Sequence, residues 1–107
     1  MEMMQRVYLS GPMSGIEELN YPAFNAAARD LRARGVHVEN PAENSPPPCG
    51  TWQGWMRLAL LQLARCDAIY MLPGWEKSRG ATVEHGLAVA LGFQIIHAEA
   101  DTWASSF

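Results

Sequence analysis

The sequence predicts an α/β protein, a three-layer sandwich in which helices cover a parallel sheet of about four strands. Short apolar or alternating runs alternate along the chain with longer segments whose apolar residues recur at helical spacing. The connections between these segments are short, which favours a parallel sheet with right-handed crossovers. The predicted strand order is therefore 2-1-3-4, the arrangement of flavodoxin-like and Rossmann-like proteins, with a switch point between strands one and three.

The first half of the chain predicts two strands around one helix. The first strand, Arg6–Ser10, is apolar and ends at Gly11-Pro12. Pro22 suits the first turn of a helix, and Gly35 suits the left-handed position that follows its end. Residues 36–40 alternate between apolar and polar side chains and form the second predicted strand.

The second half predicts two more helix and strand pairs. Thr51 and Ser78 can each accept a backbone N–H group at the start of a helix, and Gly92 can end the third helix. The third strand is a continuous apolar run, which is typical of a strand buried on both faces. The predicted bounds are Trp52–Arg65 for the second helix, Asp67–Leu72 for the third strand and Phe93–His97 for the fourth.

Glu84 is the acidic residue that most needs an explanation. It shares a predicted helix face with Leu87, Ala88 and Leu91, so its carboxylate would point toward the apolar side of the helix. One interpretation is that Glu84 lies on the margin of this face and reaches solvent, where it favours the helix N-terminal half. The other is a nucleophile or base at the carboxyl end of a parallel strand, where open α/β sheets bind ligands.

A glycine-containing loop follows the first strand. The strand order brings the Tyr8–Met13 segment beside the Pro73–Glu84 segment, so that two distant loops converge on one pocket. The exposed N–H groups of the first loop could cradle a phosphate or a sugar, or the loop could be an ordinary connection. It is neither a Walker loop nor a dinucleotide-binding fingerprint.

Composition narrows the function classes. The 107 residues predict a single domain, 1–107, and the net charge of −3 argues weakly against a nucleic-acid polymer as partner. Cys49 and Cys66 lack the spacing of a metal-ligand pair, and we expect neither a metal nor a cofactor. No apolar run approaches the ~20 residues of a membrane span and no signal peptide is evident, so we expect a cytoplasmic protein without a membrane partner.

Two motifs carry a family resemblance. The pattern Ser78-x-Gly80-x-x-x-Glu84-x-Gly86-x-Ala88 is similar to the active-site helix of the nucleoside 2-deoxyribosyltransferase-like superfamily, and residues 8–13 resemble its first strand and ligand loop. A closer resemblance is to an uncharacterised family common in phages and prophages. Its members share Y-L-S-G-P-M, N-P-A-E and L-P-G-W-E-x-S-x-G-A-x-x-E, and all three blocks occur here.

The superfamily resemblance implies an enzyme that cleaves or transfers the bond between base and sugar of a nucleoside or nucleotide. It implies Glu84 as nucleophile, and an ordinary glutamate, with a pKa of ~4.3, is already ionised at neutral pH. Ser78 would bind the sugar or its 5′ substituent, and Tyr8 would orient the carboxylate or the sugar. From its loop position, Trp75 could stack on the base. The remaining candidate ligand-binding residues are Ser10, Gly11, Pro12, Met13 and Gly80.

Two departures from the superfamily pattern leave a second function open. Ala59 stands where the superfamily has an Asp that serves the departing base, and Pro12 and Ser14 stand where its N-glycosidases have a Ser and an Arg for phosphate. Glu43 or Glu76 could replace the missing acid. The alternative to an enzyme is a non-catalytic module that holds a nucleotide or a nucleotide-derived signal, and a third reading is an interaction scaffold. The apolar breadth of the 52–63 helix also predicts a homo-oligomer.

Overall fold

The computed structural model describes residues 5–99. They form four strands and three α-helices in strict alternation. In chain order these are β1 (Arg6–Ser10), α1 (Tyr21–Ala33), β2 (His37–Glu39), α2 (Trp52–Ala64), β3 (Ala68–Met71), α3 (Arg79–Ala90) and β4 (Gln94–His97). Short 3-10 turns lie at 17–20, 41–43 and 75–77.

The four strands form one parallel sheet in the order β2-β1-β3-β4. This confirms the predicted topology, including the switch point between β1 and β3. The observed strands β2, β3 and β4 are each one to two residues shorter than predicted, although Asp67 and Leu72 beside β3 still donate backbone hydrogen bonds to Arg6 and Ser10 of β1.

Side chains alternate across the sheet and build two separate cores. On one face Val7 and Leu9 of β1 pack with Phe24 and Leu31 of α1. On the other face Tyr8 belongs to a cluster with residues of α2 and α3. Because successive strand residues point to opposite faces, this alternation makes the sheet the middle of three layers.

Thr51 and Ser78, the two residues predicted to cap helices, cap α2 and α3 in the structure. The Oγ1 atom of Thr51 accepts the N–H of Gly54 at 3.1 Å, and the Oγ atom of Ser78 accepts the N–H of Ala81 at 3.2 Å. Each bond satisfies one of the backbone donors left free at a helix start. These caps fix where α2 and α3 begin, next to the carboxyl ends of the strands.

The segment before α1 is strained. Glu18, Leu19 and Asn20 have positive φ angles of 54°, 52° and 61°. Left-handed backbone costs ~1–2 kcal/mol per non-glycine residue. The side-chain amide of Asn20 donates to the carbonyl of Pro12 at 2.9 Å and so ties this segment back to the loop after β1.

No helix among residues 5–99 is long and apolar enough to cross a membrane.

Candidate active site

A cavity of about 900 Å³ opens at the carboxyl ends of β1 and β3. Its walls come from the loop after β1, from the start of α3 and from one face of α2. This is the switch-point position at which open parallel sheets bind ligands. The two loops that the strand order predicts to converge therefore border the same space.

Glu84 is the buried carboxylate in this cavity wall, with 6% of its surface exposed. The hydroxyl of Tyr8 donates to its Oε2 atom at 2.8 Å, and the hydroxyl of Ser10 donates to its Oε1 atom at 2.6 Å. Both donors come from β1 and lie at i and i+2, on the same face of the sheet. The two hydrogen bonds hold the carboxylate in one orientation at the cavity surface.

Burial changes the protonation of Glu84. Removal from water raises the pKa of the Glu84 carboxyl from 4.5 to about 7, against the hydrogen bonds from Ser10 and Tyr8, which lower it. Glu84 therefore does not behave as the ordinary glutamate expected from the sequence, because burial brings its pKa close to neutral pH. Burial and the neighbouring Glu84 carboxylate also raise the pKa of Tyr8 well above its usual range.

The inward face of α3 is narrower than the sequence predicts. Ala81, Glu84 and Ala88 are buried, whereas Leu87 and Leu91 are 37% and 61% exposed. Small residues on either side of Glu84 let α3 lie close to the sheet, so the carboxylate reaches the hydroxyls of β1. The interpretation of Glu84 as a marginal, solvent-facing residue is therefore wrong.

Close backbone approach explains two of the candidate glycines. A Cβ atom on Gly11 would lie 2.8 Å from the Cβ of Leu72, and one on Gly80 would lie 3.2 Å from the sulfur of Met56. Glycine at these positions lets the loop after β1 pack on the end of β3, and lets α3 pack on α2.

Most of the sequence-derived candidates meet at the cavity. Its lining includes Tyr8, Ser10, Gly11, Pro12, Met13, Ser78, Gly80 and Glu84. Ser78 borders the cavity and also caps α3, because its Oγ atom accepts the backbone N–H of Ala81.

Trp75 is not among the residues that line the cavity. Its ring stacks on His85 with centroids 4.4 Å apart, and the ring of His97 lies 6.0 Å away. The 75–77 turn directs this side chain toward the outer side of α3 and β4. This placement does not support the interpretation of Trp75 as the residue that stacks on a base.

The aromatic residues that line the cavity are instead Trp52 and Trp55 of α2, together with Tyr8, Tyr21 and Phe24. The guanidinium of Arg79 lies 3.8 Å from the centroid of the Trp52 ring. Sequence reasoning missed both tryptophans. The spacing of Trp52 with Met56 and of Trp55 with Ala59, at i and i+4, indicates a shared helix face, but it does not say that this face meets the cavity.

The proposed substitutes for the missing acid lie elsewhere. Glu43 forms an ion pair with Arg32 at 2.7 Å, and Glu76 lies in the exposed turn before α3. Neither borders the cavity, and Glu84 is the one carboxylate among the described residues that line it. Within residues 5–99 no group of three or more His, Cys, Asp or Glu side chains could hold a metal ion.

Two solved structures, a 2-deoxyribosyltransferase and a CMP N-glycosidase, superpose on this chain. A 2-deoxyribosyltransferase from Bacillus psychrosaccharolyticus superposes with a TM-score of 0.67 at 22% identity, over 86% of this chain and 70% of that one. The CMP N-glycosidase BcmB of Clostridium botulinum superposes with a TM-score of 0.56 at 28% identity, over 87% of this chain and 67% of that one. Curated protein sequences give no significant match. Residues 5–97 match the model of a family described as a domain of unknown function, DUF4406, and the chain belongs to that family.

Proposed function

We propose that this protein cleaves or transfers the bond between base and sugar of a small nucleoside or nucleotide, with Glu84 as the nucleophile. The observation that carries this proposal is the buried Glu84 carboxylate at the cavity wall, oriented by the hydroxyls of Tyr8 and Ser10. Nucleophilic carboxylates in glycosyl transfer need this combination of fixed geometry and shielding from bulk water. The two similar structures, a deoxyribosyltransferase and an N-glycosidase, support the same class of chemistry.

In the proposed reaction, a carboxylate oxygen of Glu84 attacks the anomeric carbon as the bond to the base breaks. Water or a second base then attacks the same carbon, releases the sugar and regenerates the carboxylate. The hydroxyls of Tyr8 and Ser10 hold the attacking group. The aromatic face of α2 is placed to receive the base.

The test is release of free base from a panel of ribo- and deoxynucleosides and their monophosphates, followed by chromatography. We expect Glu84→Gln to lower release by ~10³-fold or more, because the amide keeps the shape of the side chain but is not a nucleophile. Ligand binding should stay nearly intact. Glu76→Gln is the matched control, because Glu76 lies in the exposed turn outside the cavity.

A binding module without turnover is the second candidate, favoured by the methyl group of Ala59 at the cavity wall. In that case wild type and Glu84→Gln would both bind a nucleoside or nucleotide, and neither would release base. Binding without base release across the whole panel would exclude the enzyme.

We also propose that the protein is a homo-oligomer. Val83, Leu87 and Leu91 form an exposed apolar stripe at i, i+4 and i+8 on α3, and Leu61 of the adjacent α2 is 63% exposed. Two copies that pair these faces would bury the stripe. Light scattering that shows only monomer at micromolar concentration would exclude this assembly, and Leu87→Lys should weaken it.

A further inference from the structure

The wall of the cavity formed by α2 is apolar. Trp55, Met56 and Ala59 line it, and they share one face of the helix by their spacing. Ala59 is 7% exposed and belongs to the same side-chain cluster as Tyr8 and Ala81. Ala59 therefore packs in the same cluster as Tyr8, which donates to Glu84, and it lines the same cavity as Glu84.

Apart from Glu84, no described residue that lines this cavity has a carboxyl or imidazole group, so the other possible proton donors for a departing base are weaker acids, among them the hydroxyls of Ser14, Tyr21 and Ser78. The hydroxyls of Tyr8 and Ser10 already donate to Glu84, and burial leaves the Tyr8 hydroxyl a weaker acid than an ordinary tyrosine. Lys77 and Arg79 border the cavity at the start of α3, where both side chains are exposed. Among the described lining residues, the remaining carboxyl group is the nucleophile itself.

The charge of the base decides whether such a site can work. A neutral base takes the bonding electron pair with it and departs as an anion unless an acid protonates it, and a positioned acid is typically worth ~10²–10⁴-fold. A base that already carries a positive charge departs as a neutral molecule. Its departure therefore needs no proton from the protein.

We infer that this site acts on N-glycosides with a cationic base, such as pyridinium nucleosides or purine nucleosides alkylated at N7, in preference to neutral nucleosides. This inference rests on the proposed function and specifies its substrate class. In the first step the Glu84 oxygen forms a bond to the anomeric carbon, and the electron pair of the breaking bond neutralises the base. In the second step water attacks that carbon, one proton goes to solvent, and the carboxylate is restored.

The aromatic side chains of α2 suit a cationic ring. An indole face attracts a cation, the more so when water is excluded. Arg79 already places its guanidinium over Trp52 at 3.8 Å, which shows that an indole at this wall accepts a positive group. Trp55 lies one turn further along α2, nearer to Ala59, and borders the cavity where a base would depart.

The experiment compares matched substrates and matched variants. The substrates are guanosine and deoxyguanosine, each with its N7-methylated partner, together with nicotinamide riboside, whose pyridinium charge does not titrate. The variants are wild type, Ala59→Asp and Ala59→Asn, with Lys77→Met to test the ammonium group as an acid. The readout is kcat/KM for base release divided by the uncatalysed rate, because methylated nucleosides are intrinsically more labile.

We expect wild type to accelerate release from the cationic substrates and to leave the neutral ones near background. Ala59→Asp should raise the rate for neutral substrates by ~10²–10⁴-fold and leave that for cationic ones nearly unchanged. Ala59→Asn has the same shape but cannot act as an acid, so it should leave the rates for neutral and for cationic substrates nearly unchanged. If Ala59→Asp does not fold, the paired substrates decide the question in wild type alone.

Three outcomes separate the possibilities. Acceleration confined to the cationic substrates supports the inference. Equal or greater acceleration for neutral nucleosides overturns it and leaves the proposed function standing, and loss of that activity in Lys77→Met would then identify the acid. No base release from any substrate overturns the proposed function and the inference with it.

Discussion

The cavity has two walls of opposite chemical character. The wall from β1 and α3 carries a carboxylate and two hydroxyls joined by hydrogen bonds of 2.6 and 2.8 Å. The wall from α2 presents indole rings, a thioether and a methyl group. The first wall has what attack on a sugar requires, and the second has what binding a flat ring requires. The difference teaches that the proposed nucleophile has no second carboxyl group beside it among the described lining residues, so in the proposed reaction the base would depart without a carboxylic acid to protonate it.

Apart from replacement of Glu84 itself, the largest effect expected on the polar wall comes from pH. Because burial raises the pKa of Glu84 to about 7, activity should rise with pH through that value. At pH ~5, two units below the pKa, only ~1% of the carboxyl is ionised, so kcat/KM should be ~100-fold lower than at pH ~9. The pH profile of kcat/KM on a pyridinium nucleoside, whose charge is constant, measures this directly.

The free energy of unfolding should change with pH in the direction opposite to the activity. The folded state holds the Glu84 proton more tightly than the unfolded state, so the free energy of unfolding falls as pH rises from about 4.5 to about 7. Glu84→Gln should remove this part of the slope. An activity profile with its midpoint near 4.5 would mean that the carboxylate is better solvated than the structure indicates.

The apolar wall is tested by comparing two tryptophans. Trp55→Ala should weaken nucleoside binding by ~1–3 kcal/mol, the usual value of stacking a base on an aromatic side chain, and this corresponds to roughly 5- to 150-fold in Kd. Trp75→Ala is the matched control, because Trp75 stacks on His85 outside the cavity. Calorimetric titration of both variants with one ligand gives the two affinities.

The comparison of the two walls would fail if the control proved the more sensitive variant. A greater loss of affinity in Trp75→Ala than in Trp55→Ala would place the base on the outer side of α3. Thermal unfolding of both variants shows whether either change acts through stability, since both rings are only partly exposed.

The polar wall could be predicted from the sequence because it lies in continuous segments with local signals. One half of this wall is marked by an apolar strand that ends in Ser10-Gly11-Pro12, and the other half by a capped helix with an inward Glu84. The parallel topology brings the two halves together. The pKa of Glu84 could not be predicted, because it depends on how closely α3 packs. That distance follows from small residues such as Ala81 and Ala88, whose effect is tertiary.

The apolar wall could not be predicted for a different reason. Apolar residues cover more than one face of α2, so the pattern does not say which face meets the sheet, the cavity or another copy. Trp52 and Trp55 look the same in sequence as core residues. Trp75 was the more visible candidate, because it lies in a loop beside Glu84, yet the turn at 75–77 directs it away.

The smallest expected effect comes from removing the two hydroxyls of the polar wall one at a time and comparing the midpoints of the pH–activity profiles. Each donates to a different oxygen of Glu84 and lowers its pKa, so removing either should move the midpoint of the activity profile above about 7. A hydrogen bond to a charged group is worth ~1.5–3 kcal/mol, and 1.36 kcal/mol is one pKa unit, so we expect a shift of ~1–2 units.

The two variants should not be equal. The bond from Ser10 is the shorter, at 2.6 Å against 2.8 Å, and it lowers the pKa of Glu84 the more, so Ser10→Ala should shift the midpoint further than Tyr8→Phe. Trp75→Ala, which leaves the wall intact, should not shift it. A downward shift in either variant would show that water entering the vacated space solvates the carboxylate better than the hydroxyl did. The polar wall would then act by excluding water more than by donating hydrogen bonds.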